Sequence, residues 1–192
     1  SRLYPNKFID IKEHPQDSKS KMHLNYSVNP KKLSVIKPNT SLKEISSLIL
    51  IGKYLETFST LEILLKNNAK HVYCVDVGRG QLDWKLTTNK KVTIFDRTNA
   101  RNVDLAEIDR NIEVITCDLS FISIKKGLSR IIEFNKTNIS LIVLVKPQFE
   151  LSKDKIGKNG IVSEPSYRQE AVKDISDWLV TKNWKVNSIR DS

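Results

Sequence analysis

The stretch LILIGKYLETFST, residues 48–60, decides how this chain is read. A short apolar run stops at Gly52, and helical spacing begins behind it at Phe58, Leu61, Ile63, Leu64 and Leu65. A strand running straight into a helix opens a βα unit, the building block of a parallel sheet. HVYCVD, residues 71–76, is then a second strand closed by an acid. In a nucleoside-binding α/β unit, an acid about twenty residues beyond the first turn accepts hydrogen bonds from ribose hydroxyls. Asp76 stands at that place. Such turns are usually glycine-rich, because the backbone must approach the ligand closely. This one holds Gly52 alone, followed by Lys53, Tyr54, Leu55 and Glu56.

Outward from this unit the pattern alternates. QLDWKL predicts a short helix and KVTIF a strand. NIEVITCDLSFI predicts another strand, IKKGLSRIIEFN a helix, and ISLIVLV a strand buried on both faces. SYRQEAVKDISDWLVTKN has an amphipathic pattern, with Ala171, Val172, Ile175, Trp178 and Leu179 on the inward face. WKVNSI is read as the last strand. Strands alternating with helices predict an α/β fold with a mainly parallel sheet and helices on both faces. Residues 1–26 lack periodicity and read as a polar, basic tail or linker, leaving 27–192 as the folded domain.

The chain has 192 residues, and its net charge of +10 is uneven. Residues 1–43 carry nine Lys or Arg against three Asp or Glu. A basic flank on a near-balanced domain points to an anionic partner, with nucleic acid first, or equally reflects a general abundance of Lys, Asn and Ile in the chain. Deleting residues 1–26 is therefore expected to weaken RNA binding and flatten its salt dependence. No apolar run is long enough to cross a bilayer, and the first residues are too polar for a secretory signal. Cys74 and Cys117 lie in apolar runs and read as buried free thiols, with no metal expected. That usage predicts a reducing, cytoplasmic compartment.

Ligands of parallel sheets bind at the carboxyl ends of the strands. Asp76 follows the second strand of this domain, Asp118 the fourth and Lys146 the fifth, while SVNPKKL upstream offers Lys31 and Lys32. Pro147 biases Lys146 toward an extended backbone at the strand exit. Lysines and an aspartate converging there can take a proton from a hydroxyl and orient it. Taken singly, Asp118 reads first as a turn cap and each lysine as a solvated surface residue; it is their combination that points to chemistry.

VYCVDVGRGQLDWKL, DRTNAR, CDLSFIS, VLVKPQFE and GKNGIVSEP together resemble the TlyA (hemolysin A) group of FtsJ-like methyltransferases. The resemblance runs from about Ser27 to the end of the chain. It implies a Rossmann-like methyltransferase fold and methylation of ribosomal RNA at ribose 2′-hydroxyls, using S-adenosylmethionine. It also implies a Lys-Asp-Lys-Glu tetrad, whose first lysine falls on Lys32, aspartate on Asp118 and second lysine, the proton acceptor, on Lys146. The tetrad glutamate belongs to a strand after SIRDS, so the sheet is expected to be truncated at its C-terminal edge. Gly52, Asp76 and Asp118 match the cofactor-binding positions. Where the family has glycines, the first turn has Tyr54, Phe58 and Ser59, with Glu56 between. Impaired cofactor binding is therefore expected. Two functions remain: a ribosomal RNA 2′-O-methyltransferase, or a catalytically dead methyltransferase fold serving as an RNA- or ribosome-binding module. Membrane lysis, suggested by the family's older name, lacks a plausible membrane-active segment.

Overall fold

The computed structural model describes residues 7–12, 47–52, 61, 65–66, 68–78, 84–108, 111–133 and 139–191. Lys31, Lys32 and the turn residues 53–60 lie outside them, so the expectations placed on Lys32, Tyr54, Glu56 and Phe58 do too.

Among the described residues, seven strands form one sheet: β1 (Lys7–Lys12), β2 (Ser47–Gly52), β3 (His71–Val75), β4 (Val92–Phe95), β5 (Ile112–Asp118), β6 (Ser140–Val145) and β7 (Lys185–Asp191). Their order is β4-β3-β2-β5-β6-β1-β7. The five strands β4, β3, β2, β5 and β6 are parallel neighbours. The mainly parallel sheet read from the alternation is therefore present.

The two faces are covered separately. On one face Ile49, Ile51, Val75, Ile115, Cys117, Leu141, Val143 and Val145 form a cluster. The turns of residues 100–107, helix α2 (Ile124–Gly127) and helix α3 (Pro165–Thr181) pack on it. On the other face Leu50, Val72 and Cys74 meet Leu61 and Leu86, the last from helix α1 (Trp84–Thr87). Alternate residues of a strand point to opposite faces, and this produces the two sets. In α3 the residues Ala171, Val172, Ile175 and Leu179 are buried as expected, and Trp178 is half-buried.

Two expectations are corrected here. Strand β6 buries Leu141, Val143 and Val145, but Ile142 and Leu144 are only half-buried, so its second face is less covered than the apolar run suggested. The larger correction concerns the C-terminal edge and the tail. β7 has an antiparallel partner: β1, from the supposed tail, lies between β6 and β7 and is antiparallel to both. Lys7 pairs with Val145 on one side and Asp191 on the other. The edge is filled, and residues 7–12 belong to the domain. The physical reason is that a strand flanked on both sides satisfies its own backbone groups and those of two neighbours. Six residues were too few for their alternation to stand out within a polar stretch.

Candidate functional site

The sheet delivers three side chains to its carboxyl edge. Register sets the first pairing: Gly52, ending β2, lies opposite Asp118, ending β5, while Cys117 pairs with Val143 of β6. Asp118 and Lys146 therefore leave adjacent parallel strands, Lys146 two residues further along than the position level with Asp118. Lys146 Nζ lies 2.5 Å from Asp118 Oδ1. Among the described residues Oδ1 accepts no hydrogen bond, so this is charge contact without hydrogen-bond direction. The directed bond from Nζ goes to Ser120 Oγ, at 2.8 Å. The lysine side chain is 12% exposed and the aspartate 33%, so the pair is sheltered but open on the aspartate side.

Two short exit segments hold this contact. After β6, Lys146 is extended and Pro147 starts a tight turn, as the Lys-Pro order predicted. Glu150 closes that turn and reaches across: its carboxylate accepts from Ser123 Oγ at 2.7 Å and from the backbone N–H of Ile124 at 2.9 Å. It caps α2 and ties the β6 exit to the β5 exit. Burial pushes the Glu150 carboxyl upward, against those two hydrogen bonds that favour its charged form. The sequence reading gave this residue no role, although its place four residues after Lys146 on a turning segment was a usable signal. Between the two exits, Phe121 has φ +64 and is 92% exposed. Its ring contacts Phe149 at 5.3 Å between centroids. A bulky residue in the left-handed region is strained, and such strain persists where surrounding structure enforces it.

Asp76 stands apart from this pair, at the exit of β3. Its Oδ1 accepts from the Gly78 N–H at 2.7 Å, and its backbone accepts from Thr98 N–H at 2.8 Å. Burial raises its carboxyl above the ordinary value, and the nearby Asp96 carboxylate adds to the rise. Asp96 follows β4, so two neighbouring strands end in acids; the second was missed by the sequence reading. A half-buried acceptor, Asp76, and an exposed one, Asp96, stand at adjacent strand exits, where acids can take the hydroxyls of a nucleoside. The thiols take no part: Cys74 and Cys117 are buried and free, and burial pushes Cys74 up to about 12 and Cys117 upward as well.

A profile of FtsJ-like methyltransferases matches residues 59–192. The chain belongs to the FtsJ-like methyltransferase family. Among curated relatives, the 16S/23S rRNA (cytidine-2'-O)-methyltransferase TlyA of Mycobacterium tuberculosis is 38% identical over 58% of this chain and 41% of its own length. The 23S rRNA (cytidine-2'-O)-methyltransferase TlyA of Campylobacter jejuni is 33% identical over 69% of this chain and 51% of its own. A solved Streptococcus thermophilus chain bearing the hemolysin name superposes with a TM-score of 0.65 at 32% identity, covering 72% of this chain and 50% of that one. The chain spans about half the length of the relatives it matches. No described helix is long and apolar enough to cross a membrane. Of the candidates, Asp118 and Lys146 come together, Gly52 adjoins Asp118 by register, and Asp76 ends its own strand nearby in the order.

Proposed function

We propose that this chain is the catalytic part of a ribosomal RNA ribose 2′-O-methyltransferase of the TlyA type, using S-adenosylmethionine. The observation that carries the reading is the sheltered contact of Lys146 Nζ with Asp118 and Ser120 at neighbouring strand exits. S-adenosylmethionine, when bound, supplies a methyl group on a sulfonium centre that a ribose oxygen can attack. Gly52, Asp76 and Asp118 are the residues to hold it. Once its ammonium has given up a proton to solvent, Lys146 Nζ accepts the proton that leaves the 2′-hydroxyl, and Asp118 steadies the ammonium that re-forms. Positioning and proton transfer of this kind contribute roughly 10²–10⁴-fold. The exposed Phe121 face offers a surface on which an unstacked base can lie, a common device in RNA recognition. Lys32 stands as the first lysine of the tetrad on the sequence resemblance alone.

The second reading, a methyltransferase fold kept for RNA or ribosome binding, draws on Tyr54, Glu56 and Phe58 in the first turn. Side chains in such a turn oppose close backbone approach, and overpacking alone costs about 1–3 kcal/mol. Calorimetry with S-adenosylmethionine separates the two. Binding, followed by isotopically labelled methyl transfer to ribosomal RNA that Lys146→Ala lowers at least a hundredfold, supports the enzyme. No heat of binding, with RNA affinity retained, overturns it in favour of the binding module.

A further inference from the structure

The segment of residues 151–164 runs from the β6 exit, five residues after Lys146, to the start of α3. It holds three lysines, and the structure treats them differently. Lys155 is committed: its Nζ bonds both carboxylate oxygens of Glu170, at 2.5 and 2.7 Å, and lies 5.4 Å over the Tyr167 ring. The far end of the segment is committed too, because Arg168 Nη1 donates to the carbonyls of Val162 at 2.9 Å and Ser163 at 2.8 Å. Within it, Gly157 N–H donates to Ile161 O at 2.8 Å, and Asn159 and Gly160 take φ of 61 and 75 to close the turn. Two short 3-10 turns, Lys153–Lys155 and Lys158–Gly160, complete a loop fixed to α3 at both anchors.

Lys153 and Lys158 are exposed, and among the described residues neither pairs with a carboxylate. The one acid between them, Asp154, is turned back on Ser152, whose hydroxyl bonds its carboxylate and holds it below the ordinary range. A fixed loop that follows Lys146 in the chain and presents two ammonium groups unpaired among the described residues is suited to a polyanion. Mobile lysines must be ordered on binding, whereas these stems start from an ordered backbone.

We infer that this loop is a phosphate rail: Lys153 and Lys158 each contact a backbone phosphate of the RNA next to the target nucleotide, while Lys155 and Arg168 only hold the loop in place. The inference rests on the RNA reading above and adds which groups grip the strand. It assigns charge neutralisation to two lysines of three that composition cannot tell apart.

Fluorescence anisotropy of a labelled ribosomal RNA fragment, titrated across salt concentrations without cofactor, tests it. Each neutralised phosphate contributes about 0.7–0.9 to the slope of log affinity against log salt. Lys153→Ala with Lys158→Ala should flatten the slope by about 1.4–1.8. Lys155→Gln should weaken binding while leaving the slope within half a contact of wild type, since its charge faces Glu170. Asp154→Asn should tighten binding. Lys153, Asp154 and Lys158 are exposed, so the thermal melts of variants at these three positions should stay near wild type. An unchanged slope in the double variant overturns the rail while leaving RNA binding itself standing. So does a Lys155→Gln slope change equal to a lost contact. Wild type that binds RNA without salt dependence, or not at all, overturns both the rail and the RNA reading.

Discussion

Strand β1 supports a test in which the sequence reading and the structure forecast opposite results. Ile9 pairs with Val143 on one side and Ile189 on the other. With neighbours on both sides, the Ile9 N–H serves the ladder whichever strand it faces. Ile9→Pro removes that donor and forces a ring into an interior strand, a position proline does not occupy in sheets. The orphaned carbonyl alone costs about 1–3 kcal/mol. Adding ring clash, a loss of about 3 kcal/mol is expected. For a chain of this size each kcal/mol moves Tm by about 2–4 °C, so Ile9→Pro should melt about 6–12 °C early. Circular dichroism and the fluorescence of Trp184, buried at the start of β7, should report the same transition. Ile9→Val keeps the ladder and should cost no more than about 1.5 kcal/mol. If Ile9→Pro melts with wild type, residues 7–12 are a tail and the strand order is wrong. The same logic revises the deletion of residues 1–26. It removes an interior strand, so its first effect should be loss of fold rather than a change in salt slope.

Three further outcomes are expected. Ser120→Ala should lower the methyl-transfer kcat roughly tenfold or more with little change in KM for RNA, because it frees Lys146 Nζ without exposing it; Ser120→Thr should restore most of the rate, and a kcat within twofold of wild type for Ser120→Ala would refute the role. Gly127→Ala places a Cβ 2.1 Å from Leu119 Cδ1, so Leu119 must swing next to Asp118; the expected cost is about 1–3 kcal/mol in urea unfolding, and full stability would show the site absorbs the change freely. Burial raises the Glu150 carboxyl above 4.5 in the folded protein, so the folded state binds that proton more tightly than the unfolded chain does. Its contribution to stability should therefore grow as pH falls through the raised value toward 4.5 and be lost as pH rises; Glu150→Gln should remove this trend from a series of melts, and an identical pH profile in the variant would contradict it.

What the sequence revealed was local. Apolar runs of four to seven residues marked β2 to β7, because each carries its own β-rich composition and a turn behind it. Asp118 and Lys146 were found for the same reason: strand exits follow from the runs, and ligands lie at exits. Strand β1 was hidden because its partners lie at residues 140–145 and 185–191, and pairing at that separation leaves no periodic mark. Ser120 and Glu150 were hidden because their roles depend on two exits meeting. A serine after a strand has no preferred reading until Lys146 Nζ is seen 2.8 Å away. Asp96 was passed over since DRTNAR carries no burial signal; its meaning comes from β4 lying beside β3.

The pairing of Lys7 with Asp191 has a consequence for how the chain could be rearranged. β7 ends where β1 begins, on adjacent antiparallel strands, and two such strands can be joined by a tight hairpin of about two residues. A circular permutant that starts at Ser47 and runs from Asp191 through such a hairpin into Lys7–Lys12 should build the same sheet. In that order the antiparallel strand comes last, and its pairing with β7 becomes local instead of spanning nearly the whole chain. Loop-closure entropy then falls, and the permutant should fold faster with its native topology intact. The sheet specifies which strands are neighbours; it is indifferent to where the polypeptide is cut.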